Sequence, residues 1–143
     1  MKWIRSWPEW WNNPEKECPP HLLNRPYVID TMERRAMSGW DYNTFDFPDE
    51  AFILVEWDIA IDRPGREAFE KFALQVPHRV ATAPYHLGDG RKLDKGFGCV
   101  YLPMWVVSGF KQTEPELFSD STFFKWYGRP RVCSYVHPQH LNS

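Results

Sequence analysis

The stretch that decides the predicted fold is Phe52-Ile-Leu-Val-Glu-Trp-Asp-Ile-Ala-Ile61, in a chain of 143 residues. Apolar side chains alternate along it with a period of two, which predicts a long β-strand with one face in the core. The apolar face consists of Ile53, Val55, Trp57, Ile59 and Ile61. The opposite face carries the carboxylates of Glu56, Asp58 and Asp62.

The clearest helix of the sequence follows this strand, at residues 66–76. Its apolar side chains have the i, i+3, i+4, i+7 spacing of one helical face, and they are Phe69, Phe72, Ala73 and Val76. Pro77 then ends the pattern. A helix that directly follows a strand is expected to pack on one face of the sheet.

Several shorter elements are predicted on either side of this unit. Apolar or aromatic patterns indicate further strands, at residues 80–83, 99–107, 123–127 and 131–136, the last two forming a hairpin across Gly128. Capping residues and prolines indicate short helices, with N-caps at Ser6 and Asp30 and one further helix at residues 114–118.

These patterns predict one α+β domain that spans residues 1–143. The expected architecture is a mainly antiparallel sheet of four or five strands, with one main helix packed on a face and an aromatic-rich N-terminal arm covering an edge. The Trp- and Pro-rich arm is assigned to residues 1–26, the core to 27–136 and a tail to 137–143. A length of 143 residues fits a single domain.

Composition and charge restrict the classes of function. The net charge is −2, but residues 30–62 hold nine acids and two bases, which gives this segment a charge of −7. Such a balance does not favour a nucleic-acid-binding protein, which is usually basic. No apolar run approaches the ~20 residues of a membrane span. Three cysteines are too few for a disulfide framework, which indicates a cytoplasmic protein.

The first functional hypothesis is a non-catalytic protein that binds another protein through an acidic, aromatic-rich surface. Aromatic residues make up 17% of the chain, and large rings populate interface hot spots. The predicted anchors are Trp40, Tyr42, Phe45 and Phe47, and the predicted charged rim is Asp41, Asp46 and Asp49. An acidic surface of this kind suits a basic partner.

A second hypothesis is a metal-dependent enzyme that acts on phosphodiesters. Such enzymes hold Mg²⁺ with carboxylates presented from a sheet, so Glu56, Asp58 and Asp62 are the candidate ligands. His78 is the candidate base or positioning residue. The same pattern is expected of the solvated face of an amphipathic strand, and no phosphate-binding glycine motif accompanies it.

Two further sites are compatible with the spacing of polar and aromatic residues. Cysteine and histidine pairs near the two ends of the chain have the ligand types of a structural zinc site, and they are Cys18, His21, Cys133 and His137. A small-ligand pocket lined by tryptophan is the other alternative, with Tyr85, His86 and Trp105 near it.

One basic run lies within a glycine-containing loop and consists of Arg91, Lys92 and Lys95. Contact with a phosphate backbone is one interpretation of this run. A solvated hairpin tip is the commoner explanation for such a pattern.

Overall fold

The computed structural model describes residues 1–8, 32–38 and 41–140. The strands are β1 (Lys2–Pro8), β2 (Glu33–Met37), β3 (Phe52–Glu56), β4 (Ile59–Ala60), β5 (Ala81–Thr82), β6 (Tyr85–His86), β7 (Lys92–Leu93), β8 (Cys99–Leu102), β9 (Arg131–Val132) and β10 (Gln139–His140). The α-helices are α1 (Arg63–Leu74), α2 (Met104–Gln112) and α3 (Asp120–Tyr127). A 3-10 turn covers Tyr42–Thr44. None of these helices is both long and apolar enough to cross a membrane.

The largest sheet of the described residues has six strands in the order β2-β1-β3-β8-β5-β9. Strand β1 runs parallel to β2 and β3, and β9 runs parallel to β5. Strand β8 is antiparallel to β3 and β5. The sheet is therefore mixed, which is consistent with an α+β domain, and the expectation of a mainly antiparallel sheet is not confirmed.

Both faces of strand β3 are buried. Phe52 and Leu54 belong to an apolar cluster that also contains residues of α2 and α3. Ile53 and Val55 belong to a second cluster, which includes Phe69 of α1. Helices thus cover both faces of the sheet, and the prediction of a single buried face is wrong because α2 and α3 supply a second apolar layer.

The predicted strand 52–61 is interrupted after Glu56. Trp57 and Asp58 form a turn, and the chain continues as the short strand β4. Arg5 stabilises this turn, since its Nη1 donates hydrogen bonds of 2.8 Å to the carbonyl oxygens of both Glu56 and Ile59. Alternation alone does not reveal such an interruption, because Trp57 is buried like the strand residues before it.

Helix α1 confirms the strongest helical prediction. It begins at Arg63, three residues earlier than expected, because Asp62 is its N-cap and Pro64 fits the first turn. The Asp62 carboxylate accepts a hydrogen bond of 2.8 Å from the backbone N–H of Gly65.

The N-terminal segment differs most from its prediction. Residues 2–8 form an internal strand between two neighbours, so the helix predicted from Ser6 and the arm covering a sheet edge are wrong for this part of the chain. The helix predicted from Asp30 is also wrong at residues 33–37, which form β2. Parallel pairing with β1 outweighs the local capping pattern there. The remainder of the arm, to residue 26, lies outside the described residues.

Several predicted elements after the start of β8 also differ from the structure. Pro103 ends β8 and is the N-cap of α2, so the predicted strand 99–107 is shorter than expected. Residues 123–127 lie in α3, which Ser119 starts with a capping box, and no hairpin crosses Gly128. Residues 114–118 are not helical. Within the predicted tail, Gln139 and His140 pair with β4.

Candidate acid–base site

A group of ionisable side chains lies where β3 ends. We call Glu56, Asp58, Asp120 and His140 the acid cluster. Glu56 ends β3 and Asp58 lies in the following turn, while Asp120 begins α3 and His140 ends β10. The negative charges of Asp58 and Asp120 both act on Glu56, which places each of these two carboxyl groups within electrostatic reach of Glu56.

Asp58 and His140 form the closest pair of the cluster. Asp58 Oδ2 lies 2.9 Å from His140 Nε2, and only 4% of Asp58 is exposed. The β4–β10 pairing positions His140, since it places this residue opposite Ile59, the residue after Asp58. Asp58 Oδ1 and His140 Nδ1 are buried without a hydrogen-bond partner in the described part of the chain. Buried polar atoms without a partner are uncommon in native proteins, and they mark this pair as unusual.

Glu56 has the most altered proton affinity of the cluster. Burial raises the pKa of Glu56 to about 8, and the charges of Asp58 and Asp120 act in the same direction. The side chain is nevertheless half-buried rather than fully enclosed. A carboxyl group with this pKa holds its proton at neutral pH and can donate it to a bound molecule.

The pKa values of the other two carboxyl groups, those of Asp58 and Asp120, are also raised. Burial raises the pKa of Asp58, against the opposing effects of His140 and Arg5. Burial also raises the pKa of Asp120, although its carboxyl accepts backbone hydrogen bonds from Ser121 and Phe97. The Ser121 bond is 2.7 Å long. Acids with raised pKa values that share one location are typical of functional sites.

Arg5 is the cationic residue beneath the cluster. Its side chain is completely buried, and both hydrogen bonds from its Nη1 end on carbonyl groups that flank the Trp57–Asp58 turn. Its charge lowers the pKa of Asp58. Arg5 therefore positions the turn and partly balances its negative charge.

Two tyrosines stay in their neutral form beside the cluster. Tyr42 is buried and donates a hydrogen bond of 3.1 Å to Ser6 Oγ. Burial raises the pKa of Tyr42, with a further contribution from the charge of Glu56. Burial and the charge of Glu56 also raise the pKa of Tyr85, whose ring centroid lies 5.7 Å from that of His140.

Two glycines allow Tyr85 to lie close to the backbone. A Cβ atom on Gly96 would lie 2.6 Å from the Tyr85 hydroxyl oxygen, and a Cβ on Gly98 would overlap the Tyr85 ring. Glycine is required where a side chain approaches the backbone this closely. The loop Gly96–Gly98 thus holds Tyr85 in place, which accounts for glycines that the sequence pattern left unexplained.

The predicted partner-binding residues are divided between the core and the surface. Tyr42 and Phe45 are buried, and Phe47 packs against the same cluster, so these rings stabilise the fold. Asp41 caps the 3-10 turn. Asp46 and Asp49 are exposed. Trp40 lies outside the described residues.

The predicted magnesium ligands do not all lie in one place. Glu56 and Asp58 belong to the acid cluster, but Asp62 caps α1, and His78 is exposed, with its carbonyl oxygen accepting a hydrogen bond of 2.8 Å from Trp105 Nε1. Across residues 1–8, 32–38 and 41–140, no group of three or more His, Cys, Asp or Glu side chains is arranged to hold a metal ion.

The alternative sites are placed as follows. Of the predicted zinc ligands, Cys133 is buried in the core and His137 is exposed, while Cys18 and His21 lie outside the described residues. For the predicted small-ligand pocket, Tyr85 contacts His140, and Trp105 contacts Tyr127 with ring centroids 6.3 Å apart. His86 is exposed on β6. Tyr85 and Trp105 therefore have different neighbours.

No sequence pattern predicts that Arg5, Asp120 and His140 belong to one site. Arg5 and Asp120 carry no local motif. His140 belongs to a Cys-x3-His-x2-His spacing, which pointed to zinc rather than to Asp58. The acid cluster therefore depends on contacts between distant segments.

No protein-family model matches this chain, and no curated protein matches it. Among solved structures, the chain is similar to the crystal structure of A197 from STIV. The TM-score is 0.61 with 11% sequence identity, over 100% of this chain and 87% of that chain. At this identity the similarity concerns the fold alone.

Proposed function

We propose that this protein is an enzyme that transfers or hydrolyses a group by general acid–base catalysis at the acid cluster. The observation that carries the proposal is the buried Asp58–His140 pair, 2.9 Å apart, beside a glutamic acid that holds its proton at neutral pH. Environments that separate the proton affinities of neighbouring groups are how enzymes assign acid and base roles.

The role of general acid follows from the protonation of Glu56, and the role of general base follows from the hydrogen bond between His140 and Asp58. Glu56 is the general acid, because it is protonated at neutral pH and still partly exposed. His140 is the general base through Nδ1 when its Nε2–H is donated to Asp58. Because Nδ1 is buried, this role requires the site to open to the substrate. Asp58 is a positioning residue, since it fixes the ring and this tautomer. Glu56 and Asp58 also belong to the predicted phosphodiester site, where they are magnesium ligands. In this proposal their role is proton transfer instead.

The test is a panel of phenyl and 4-nitrophenyl esters, phosphates, phosphodiesters and glycosides. For the substrate that is turned over, Glu56→Gln is expected to lower kcat by about 10²–10⁴-fold. The loss should be larger for the phenyl substrate, because the poorer leaving group depends more on the acid. The wild-type rate should also fall as the pH rises through about 8, where Glu56 loses its proton.

Glu67→Gln is the matched control, since Glu67 is an exposed acid on α1 that pairs with Arg63. It should leave kcat unchanged. The proposal fails if Glu56→Gln retains wild-type kcat on every substrate that the wild type turns over. A wild type inactive on the whole panel contradicts it for these four substrate classes.

We propose a second function, binding of another protein, on the basis of exposed rings on α2 and α3. Trp105 is 55% exposed and Trp126 is 41% exposed, and Met104 beside Trp105 is exposed as well. Trp126 packs against Phe110, and a Cβ on Gly109 would lie 3.2 Å from its ring. Exposed tryptophans on rigid helices are typical anchors of protein interfaces.

This binding surface differs from the predicted one, of which the Tyr42 and Phe45 rings are buried and Phe47 packs against the same cluster. The double change Trp105→Ser and Trp126→Ser is expected to reduce at least tenfold the recovery of a cross-linked partner from cell extract. Tyr135→Ser is the control, because Tyr135 is 60% exposed and lies elsewhere, against Phe72 of α1. Equal recovery with both variants would rule this surface out.

A further inference from the structure

A cavity of about 410 Å³ opens beside the acid cluster, between β7 and α3. Its lining residues are Leu93, Lys95, Asp120, Ser121, Phe124 and Lys125. Asp120 belongs both to this lining and to the acid cluster. The cavity therefore shares Asp120 with the acid cluster, and the charge of Asp120 acts on Glu56.

The charged lining of this cavity favours an anion. Lys95 and Lys125 are both exposed, and neither forms an ion pair within the described part of the chain. The carboxyl of Asp120 is engaged by the backbone N–H groups of Ser121 and Phe97. The two ammonium groups outnumber the single carboxyl of Asp120, so the lining carries a net positive charge that favours an anion.

The apolar lining indicates what the anion is attached to. Leu93 is half-buried and Phe124 is 3% exposed, so they form the apolar part of the cavity wall. A ligand that carries both a dianionic and an apolar or planar part would contact both types of wall. Cavities of several hundred Å³ with a few convergent polar groups are typical small-molecule sites.

We propose that this cavity binds a phosphate monoester, with Lys95 and Lys125 holding the phosphate group. The proposal rests on the acid–base function in that it names the substrate class of the same site. Binding itself requires only the cavity residues, so it can be measured without catalysis.

The probe is phenyl phosphate, titrated into the full chain at constant ionic strength and followed through the backbone amide signals of residues 93, 95, 121 and 125. Saturable shifts are expected at these amides. The double variant Lys95→Gln and Lys125→Gln should weaken the apparent affinity at least tenfold. Lys92→Gln should not change it, since Lys92 is an exposed lysine of β7 outside the cavity lining.

Benzoate and inorganic phosphate complete the experiment. Weaker binding of benzoate is expected because it carries a single charge, and weaker binding of inorganic phosphate because it lacks the apolar part. Absence of saturable shifts, or equal affinity in the double variant, would overturn the assignment. Glu56→Gln should bind phenyl phosphate like the wild type. Retained binding with undiminished catalysis in Glu56→Gln would therefore reject the acid–base function but not the phosphate site.

Discussion

Replacing Arg5 with methionine is expected to lower the free energy of unfolding by about 3–5 kcal/mol, because it removes the cation from a buried polar network. Arg5 is completely buried, and its Nη1 donates 2.8 Å hydrogen bonds to the carbonyl oxygens of Glu56 and Ile59. Methionine fills similar space but leaves both carbonyls without this donor. Urea denaturation at pH 7 measures the change.

Two further variants separate charge from geometry. Arg5→Lys should be intermediate, since lysine keeps the charge but its ammonium group lacks the fixed planar geometry of the guanidinium that aims Nη1 at the two carbonyls. Arg63→Met is the control and should change stability by less than about 0.5 kcal/mol, because the side chain is 89% exposed and its ion pair with Glu67 lies on the surface. An Arg5→Met protein within about 1 kcal/mol of the wild type would contradict the role assigned to Arg5.

Stability is expected to decrease with pH because of Glu56. Its pKa is raised from 4.5 to about 8 in the folded protein, so the folded state holds the proton more tightly than the unfolded chain. The associated stability is fully present below pH 4.5 and is lost as the pH rises through 8. A shift of this size corresponds to about 5 kcal/mol at most, and partial exposure reduces the expected loss to about 2–4 kcal/mol.

Glu56→Gln should remove most of this dependence, since glutamine has nearly the same shape and no charge. The variant is expected to be more stable than the wild type at pH 9, and a smaller slope should remain because the pKa values of Asp58 and Asp120 are also raised. Glu67→Gln should keep the wild-type slope. Parallel stability curves for wild type and Glu56→Gln between pH 5 and 9 would show that Glu56 ionises normally.

Local patterns predicted the elements whose side chains repeat over a whole segment. Helix α1 is such a case, because its apolar stripe and the proline that follows it both indicate a helix, although it begins three residues earlier than the stripe predicts. The aromatic residues at 123–127 predict a strand, since such residues favour strands. This prediction is wrong, because these residues lie in α3. Its rings instead pack along a helix, where Phe123 and Tyr127, four positions apart, stack at an interplanar angle of 7°.

The sequence predicts only the part of the candidate site whose residues are close together along the chain. The alternation of apolar and acidic side chains predicts that Glu56 and Asp58 lie together. It also predicts that Asp62 lies with them, which is wrong because the chain turns after Glu56. Asp58 meets His140 across 82 positions, and Arg5 meets Glu56 across 51. Such contacts follow from sheet order, and sheet order depends on long-range packing that no short pattern encodes.

The order of strands also has a consequence for how the chain folds. Lys2 pairs with Phe52, and Phe52 pairs with Leu102, so both partners of Phe52 lie 50 positions away along the chain. Long segments must close before these pairings gain any free energy, and proteins dominated by such contacts fold slowly. The acid–base site is assembled from the same distant segments. It therefore forms only when the central sheet does, and a truncated chain that lacks β1 or β10 would lack part of the site.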